Sequence, residues 1–199
     1  MKKYPLPVLL MFFLVFSLSP LSAGGQKETA PFSWTMGLQN AKTGELIPFS
    51  VPVSSWNGEQ YRLVIEPSRD CYCYVVAESP DGDEVSILFA GFIKAGETWY
   101  SPIMVLTDPQ GTESLFIIVS SNEQEVLSQR ISALRPSSSA SQRAVMNEIF
   151  RLRGELSEFR EVPERPVLMG GASRGSAEKS QGVEYSGLAA YVKTISIEH

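Results

Sequence analysis

Residues Asp70 to Phe89 read DCYCYVVAESPDGDEVSILF, and this stretch decides the class of fold. Two apolar runs rich in β-branched and aromatic residues flank a Pro-Asp-Gly-Asp turn, which is the pattern of a β-hairpin. The first run, Cys71 to Ala77, is apolar on both faces, as is the later run Leu115 to Val119. Such strands lie at the centre of a sheet with both faces covered. The sequence therefore predicts a β-rich domain with a further layer packed on its sheet.

Other strands flank this hairpin. Asn57-Gly58 is a turn signal that leads into Tyr61 to Glu66, where residues of one face alternate with those of the other. Ala30 to Asn40 and Leu46 to Val53 contain prolines, which favours places at the edge of the sheet or at the start of a strand. Tyr191 to Ile197 is the last strand candidate.

Two helices are expected to cover the second face of the sheet. Apolar residues recur at helical spacing between Ser141 and Arg160, namely at Val145, Ile149, Leu152, Leu156 and Phe159. This helix is predicted to start after the serines 137–139 and to stop before Pro163. A shorter helix is predicted over about Glu123 to Leu134. The glycine-rich residues 163–187 are predicted to form a long, mobile loop.

These elements predict a mainly β fold of the α+β class: an antiparallel β-sandwich, immunoglobulin-like or related, with two C-terminal helices on one face. We expect residues 1–23 to be a signal peptide and residues 24–136 to form the β-rich domain. Residues 137–199 are expected to pack a helix, a glycine-rich loop and a returning strand on the same domain.

The amino terminus has the pattern of a secretory signal peptide. Lys2 and Lys3 precede the apolar run Val8 to Phe16, and small residues follow from Ser19 to Gly25. A membrane anchor would need roughly 20 apolar residues, and this run is shorter. The cysteine that lipid attachment requires is not present here. We therefore expect cleavage after Ala23 or Gly24 and a periplasmic or secreted protein that is not a lipoprotein and has no membrane span.

The balance of charge excludes some partners. The chain has a formal net charge of −5, and loss of a leader with two lysines and no acidic residue makes it more acidic. Acidic chains are poor ligands for nucleic acids and anionic lipid surfaces. We expect neither as a partner.

Residues that could support catalysis are few. His199, the last residue, is the only histidine, and a terminal residue is normally frayed. Most general-base mechanisms and zinc sites need a fixed imidazole. Gly171 to Gly175 matches the G-x-S-x-G pattern of α/β-hydrolases and would make Ser173 the nucleophile, but that pattern also needs a histidine. We therefore predict no catalytic residue, no cofactor and no metal.

The two cysteines and the hairpin turn favour structural roles. Cys71 and Cys73 point to the same side of one strand with Cα atoms about 6.7 Å apart, which suits two buried thiols better than a strained redox disulfide. Asp81, Asp83 and Glu84 crowd the turn, where a calcium site would need roughly six to eight oxygen ligands. A solvated acidic turn is the preferred interpretation.

Aromatic residues near turns are the candidates for ligand binding. Trp56 adjoins the Asn57-Gly58 turn, and Trp99 and Tyr100 follow another turn. Such residues form platforms for carbohydrate or peptide, although in a sheet protein they also fill cores.

Strand and turn signatures follow one another from Leu46 to Ser121. They are Gly58-Glu59, Tyr61 to Ile65, Cys71 to Val76, Asp81-Gly82, Val85 to Phe89, Ala95 to Glu97 and Gly111 to Leu115. This series resembles the bacterial family called domain of unknown function 4384, and departs from it at Ala90 to Phe92. The resemblance implies an exported or envelope protein, or an accessory module, with no catalytic residue to carry over. Glu113 is expected to be held by an arginine or by backbone amides.

The leading hypothesis is an exported, non-enzymatic accessory module of the bacterial cell envelope that recognises a protein or a cell-wall polymer. Loop aromatics or an open sheet edge would supply the contacts. One alternative is a hydrolase that uses Ser173 or an acidic pair. Another is a structural component of an envelope assembly.

Overall fold

The computed structural model describes residues 32–47, 49, 52–156, 165–168, 181–187 and 190–199. The predictions for the signal peptide, for Phe159 and for Ser173 lie outside these residues. In chain order the described elements are β1 (Phe32–Asn40), β2 (Leu46–Ile47), β3 (Val53–Ser54), β4 (Gln60–Pro67), β5 (Cys71–Glu78), β6 (Val85–Ile93), β7 (Trp99–Tyr100), β8 (Met104–Val105), β9 (Thr112–Ser120), α1 (Glu125–Ser132), α2 (Ser139–Leu156), β10 (Arg165–Leu168), β11 (Gln181–Gly187) and β12 (Ala190–Glu198).

The strands form two sheets. The first has the order β10-β11-β1-β4-β7, with β2 paired to β1 and β8 paired to β4. The second has the order β3-β12-β9-β5-β6, in which β3 runs parallel to β12 and the other pairs are antiparallel. The predicted hairpin is therefore the β5–β6 pair, and the two strands with apolar residues on both faces, β5 and β9, are neighbours inside the second sheet.

The inner faces of the two sheets enclose the larger core. Trp34, Leu63 and Ile65 come from the first sheet, and Val75 and Ile117 from the second, and all are buried together. Burial of apolar side chains supplies about 25 cal/mol for each Å² removed from water. This layer gives the fold its sandwich architecture, and the mainly β, α+β class predicted from the sequence is confirmed.

The helices cover the opposite face of the second sheet. Val76, Phe116 and Ile118 pack there against Leu127 of α1 and Ile149 of α2. The start of α2 lies in the predicted serine run, where Ser138 Oγ accepts a hydrogen bond from Ser141 N at 3.4 Å. The predicted helical stripe is confirmed at Val145, Ile149 and Leu152, which are buried.

Pro31 directly precedes β1, which is one of the two places predicted for it, and β1 lies inside the sheet between β4 and β11 with its ladder intact. The prediction of a loop over residues 163–187 is wrong, because these residues contain β10 and β11, which pair with each other, while β11 also pairs with β1. Backbone hydrogen bonds to an existing strand suffice for these segments despite their few apolar residues.

Tyr74 fixes α1 to the sheet and gives a direct test of this layer. Its buried hydroxyl group lies 3.0 Å from Ser128 Oγ and accepts a hydrogen bond from Gln124 N at 3.0 Å. Tyr74→Phe leaves these groups without their partner and is expected to lower the free energy of unfolding by about 1–2 kcal/mol.

Urea denaturation measures this loss. Tyr72→Phe is the matched control, since the Tyr72 ring packs on the same helical layer and its hydroxyl has no hydrogen bond to the described residues. An equal loss in both variants would contradict the role assigned to the Tyr74 hydroxyl.

Candidate functional site

Trp56 is displayed on the surface. It lies in the short connection from β3 to β4, and 78% of its area is exposed. A single exposed apolar residue is normal on a protein surface. Trp56 is distinguished by the hydrogen bonds that hold the connection in which it lies. We call this connection, residues Ser55 to Glu59, the Trp56 turn.

Backbone hydrogen bonds hold the Trp56 turn on two sides. Ser55 N donates to Glu198 O at 2.8 Å, which ties the turn to the end of β12. Gly58 N donates to Leu106 O at 2.8 Å, which ties it to the segment after β8. Gly58 has a φ of 86°, a conformation that glycine adopts without steric cost. The predicted Asn57-Gly58 turn is thus present and bound at both ends.

The Asn57 side chain joins the turn to two distant segments. Its Nδ2 donates to Asp108 Oδ1 at 2.8 Å, and its Oδ1 lies 2.7 Å from His199 Nδ1. Because the amide nitrogen faces Asp108, the amide oxygen faces the imidazole and accepts from Nδ1. The backbone of His199 exchanges two hydrogen bonds of 3.0 Å with Gly111. The last residue of the chain therefore lies beneath the Trp56 turn.

His199 is not frayed, and that expectation is wrong. Its side chain is fully buried, its Nε2 lies 3.7 Å from Glu113 Oε1, and this nitrogen has no hydrogen-bond partner among the described residues. The expectation that an arginine or backbone amides hold Glu113 is also wrong, since this carboxylate faces the imidazole. Burial raises the pKa of Glu113, and the His199 charge opposes that rise. His199 is ordered because the β9–β12 ladder continues to the pair Glu198 and Thr112, directly before it.

Three side chains, Ser55, Glu59 and Tyr61, are hydrogen-bonded to one another at the Trp56 turn, and we call them the polar base of the turn. Glu59 Oε2 accepts hydrogen bonds from Ser55 Oγ, at 2.5 Å, and from Tyr61 OH, and the two hydroxyl groups also contact each other. The bonds from Ser55 and Tyr61 lower the pKa of Glu59. Burial, together with the bond to Glu59, raises the pKa of Tyr61 to about 12. The carboxylate is thus held charged and the phenol neutral.

The two other aromatic candidates form β7, which pairs with the middle of β4. Trp99 and Tyr100 pair with Ile65 and Val64, whereas the Trp56 turn precedes the first residue of β4. Trp99 packs on the core with its ring centroid 4.7 Å from that of Phe89, and so fills a structural position. The three aromatic residues are not brought together into one platform.

Tyr100 remains on the surface, where it is 40% exposed. The Arg62 guanidinium lies 4.7 Å from the centroid of its ring, and Arg62 Nε donates to Gln39 Oε1 at 2.6 Å. Cation–π contact of this kind contributes about 0.5–1 kcal/mol at an exposed site. The pair forms a fixed aromatic and cationic surface on the first sheet.

Two further apolar residues are exposed in and next to β8, the strand that follows Tyr100 in the chain. Ile103 is 57% exposed and Val105 is 45% exposed, and Val105 pairs with Gln60 near the start of β4. Tyr100 and Val105 pair with Val64 and Gln60, at two points along the same side of β4. We call the four exposed residues Trp56, Tyr100, Ile103 and Val105 the apolar rim. Sequence reasoning missed Ile103 and Val105, because the apolar run Ile103 to Leu106 carries no signal of which side chains are exposed.

The remaining motifs have structural roles. Cys71 and Cys73 are free and buried, as predicted. Burial raises the pKa of Cys71 to about 11 and that of Cys73 well above its usual value. Asp81 Oδ1 accepts from Ser79 Oγ at 2.6 Å and from Asp83 N at 3.1 Å, which closes the hairpin turn. Among the described residues no group of three or more histidines, cysteines and acidic residues is arranged to hold a metal ion.

Comparison with protein-family models, with curated proteins and with solved structures gave no match to this chain. The resemblance to domain of unknown function 4384 stays a prediction. Neither helix in the described ranges combines the length and the apolar character needed to cross a bilayer.

Stability at acid pH tests the polar base of the Trp56 turn. Because folding lowers the pKa of Glu59, its stabilising contribution is present above the usual value of 4.5 and is lost as the pH falls through the folded value. Glu59→Gln should therefore lower the free energy of unfolding more at neutral pH than at a pH well below 4.5.

Chemical denaturation of both proteins over this range of pH measures the difference. Glu45→Gln, at an exposed carboxylate in the connection from β1 to β2, is the control. A difference between Glu59→Gln and the parent protein that does not change with pH would contradict the assignment.

Proposed function

We propose that the protein is a non-enzymatic accessory module of the bacterial cell envelope that binds a protein or a cell-wall polymer, with Trp56 as the anchor residue. The observation that carries this proposal is the exposure of Trp56, 78%, on a turn held by hydrogen bonds to two distant segments, residues 106–108 and 198–199.

A binding surface that is already ordered has a smaller entropic cost of association. A binding surface loses affinity when its side chains and loops must become fixed on association. Hydrogen bonds from Ser55, Asn57 and Gly58 already fix the backbone of the Trp56 turn. Tryptophan is also among the residues that most often dominate the energy of protein interfaces. A tryptophan held this way can bury its ring against a partner without ordering the turn first.

The apolar rim supports an extended ligand. Tyr100, Ile103 and Val105 continue from the Trp56 turn along the edge of the first sheet, and Arg62 adds a cation beside Tyr100. A polymer that lies along this edge would meet an apolar contact at one end and a mixed aromatic and cationic contact at the other. Protein segments and glycans both offer apolar faces and hydrogen-bonding groups of this kind.

The position of His199 supports a binding role over a catalytic one. A general base must come within about 2.6–3.2 Å of the proton that it removes. The only imidazole in the sequence has a fully buried side chain, with Asn57 on its Nδ1 and Glu113 facing its Nε2. In this arrangement the ring orders the turn and does not meet a substrate. Placement in the envelope rests on the amino-terminal sequence pattern alone.

Affinity capture from an envelope fraction, and sedimentation with isolated cell-wall polymer, test the proposal. The parent protein is expected to retain a reproducible partner, and Trp56→Ala to weaken the binding of that purified partner by about 30-fold or more. The fold should be unchanged, since the ring lies outside both cores.

Phe150→Ala is the matched control, because this exposed aromatic residue lies on α2 in the opposite outer layer. The proposal is wrong if no partner is retained by either assay, or if Trp56→Ala binds as the parent protein does. A loss that is equal in Phe150→Ala would remove Trp56 from the role of anchor.

A further inference from the structure

The second sheet ends in an unusual edge strand. β6, residues Val85–Ile93, has β5 as its partner on one side, and no described residue pairs with its other side. Its sequence, VSILFAGFI, contains neither a charged residue nor a proline. Ala90 is exposed and Phe92 is 48% exposed, so the outer side of the strand is open to contact. Such an edge is a template for pairing with another strand.

The other edges of the two described sheets carry features that prevent such pairing. β3, β7 and β8 have two residues each, and Pro102 separates β7 from β8. β10 has four residues, among them Arg165 and Pro166. Short strands, prolines and charges are the usual means by which proteins protect their edges. β6 is nine residues long and has neither proline nor charge, and a single bulge is its one protective feature, so most of its open edge is available to a partner.

We propose that β6 is the surface on which two copies of this chain associate, by antiparallel pairing of β6 with β6 about a two-fold axis. The charges at the ends of the strand favour a second copy as the occupant. Glu84 and Asp83 precede β6, Lys94 follows it, and all three are exposed. Glu84 and Lys94 are equally far along the chain from Phe89. Antiparallel pairing near that residue places each acidic end beside Lys94 of the partner subunit, whereas parallel pairing would place like charges together.

The shape of the strand fits the same arrangement. Leu88 is the extra residue of a bulge opposite Val75 and Val76, and both Leu88 and Phe89 pack against the core between the sheets. The bulge divides β6 into a segment before Leu88 and a segment after it. In the two-fold pair, the first segment of one copy meets the second segment of the other. Phe92 lies on the face of the sheet that the helices cover, as do Val85 and Ile87, so in the pair its exposed ring lies near the partner subunit's Val85 and Ile87 and loses contact with water there.

Sedimentation and light scattering of the purified protein over a range of concentrations test this pairing. The parent protein is expected to form a dimer that dissociates on dilution. Ala90→Lys places a charge on the open edge and should give a monomer. Ile103→Lys, at an exposed position on the edge of the first sheet, is the matched control and should leave the dimer intact. Thermal unfolding verifies that each variant is folded, and Phe92→Glu replaces Ala90→Lys if that variant is not.

Charge exchange tests the antiparallel orientation. Lys94→Glu and Glu84→Lys should each weaken the dimer by about fivefold or more, since two symmetric ion pairs are lost. The double variant Glu84→Lys/Lys94→Glu restores opposite charges and should recover most of the affinity. A monomer at every concentration, or a dimer lost in Ile103→Lys and kept in Ala90→Lys, would overturn the proposal. Failure of the double variant to recover would overturn the antiparallel pairing.

Discussion

The neighbouring strands β5 and β9 are the constraint on which the rest of the structure depends, because both their faces are buried. One face contributes Val75 and Ile117 to the core between the sheets, and the other contributes Val76 and Phe116 to the core beneath the helices. Neither strand has a face that tolerates water, so the chain must supply a layer on each side. The first sheet and the helical pair are these layers, and Tyr74 joins the second of them to the sheet by hydrogen bonds as well as by packing.

The same sheet also builds the candidate site. β12 pairs with β9 along its whole length, so the end of the chain is carried to the place where β4 begins. His199 then meets Asn57 and Glu113, and Glu198 meets Ser55. The Trp56 turn is hydrogen-bonded to Glu198, the last residue of β12 in the second sheet, and to His199, which follows it. A surface residue suited to binding is in this way connected to the most buried part of the fold.

Local sequence patterns predicted the elements whose partners lie nearby in the chain. The Asp81-Gly82 turn and its flanking runs predicted the hairpin, and the spacing of Val145, Ile149 and Leu152 predicted the buried stripe of α2. The patterns failed where a distant strand decides the outcome. β10 and β11 exist because β1 offers a ladder. His199 is buried because β9 is long enough to pair with the end of β12. Trp56 and Trp99 both lie beside turn signals, and only the tertiary fold exposes one and packs the other.

The proposed binding role requires that the Trp56 turn is ordered before any partner binds. Nuclear magnetic relaxation of the backbone N–H groups of Asn57 and Gly58 measures this directly in the free protein. The account predicts order parameters of about 0.85, equal to those of the β4 strand that follows. Values below about 0.6 at these two residues, beside a rigid β4, would contradict it.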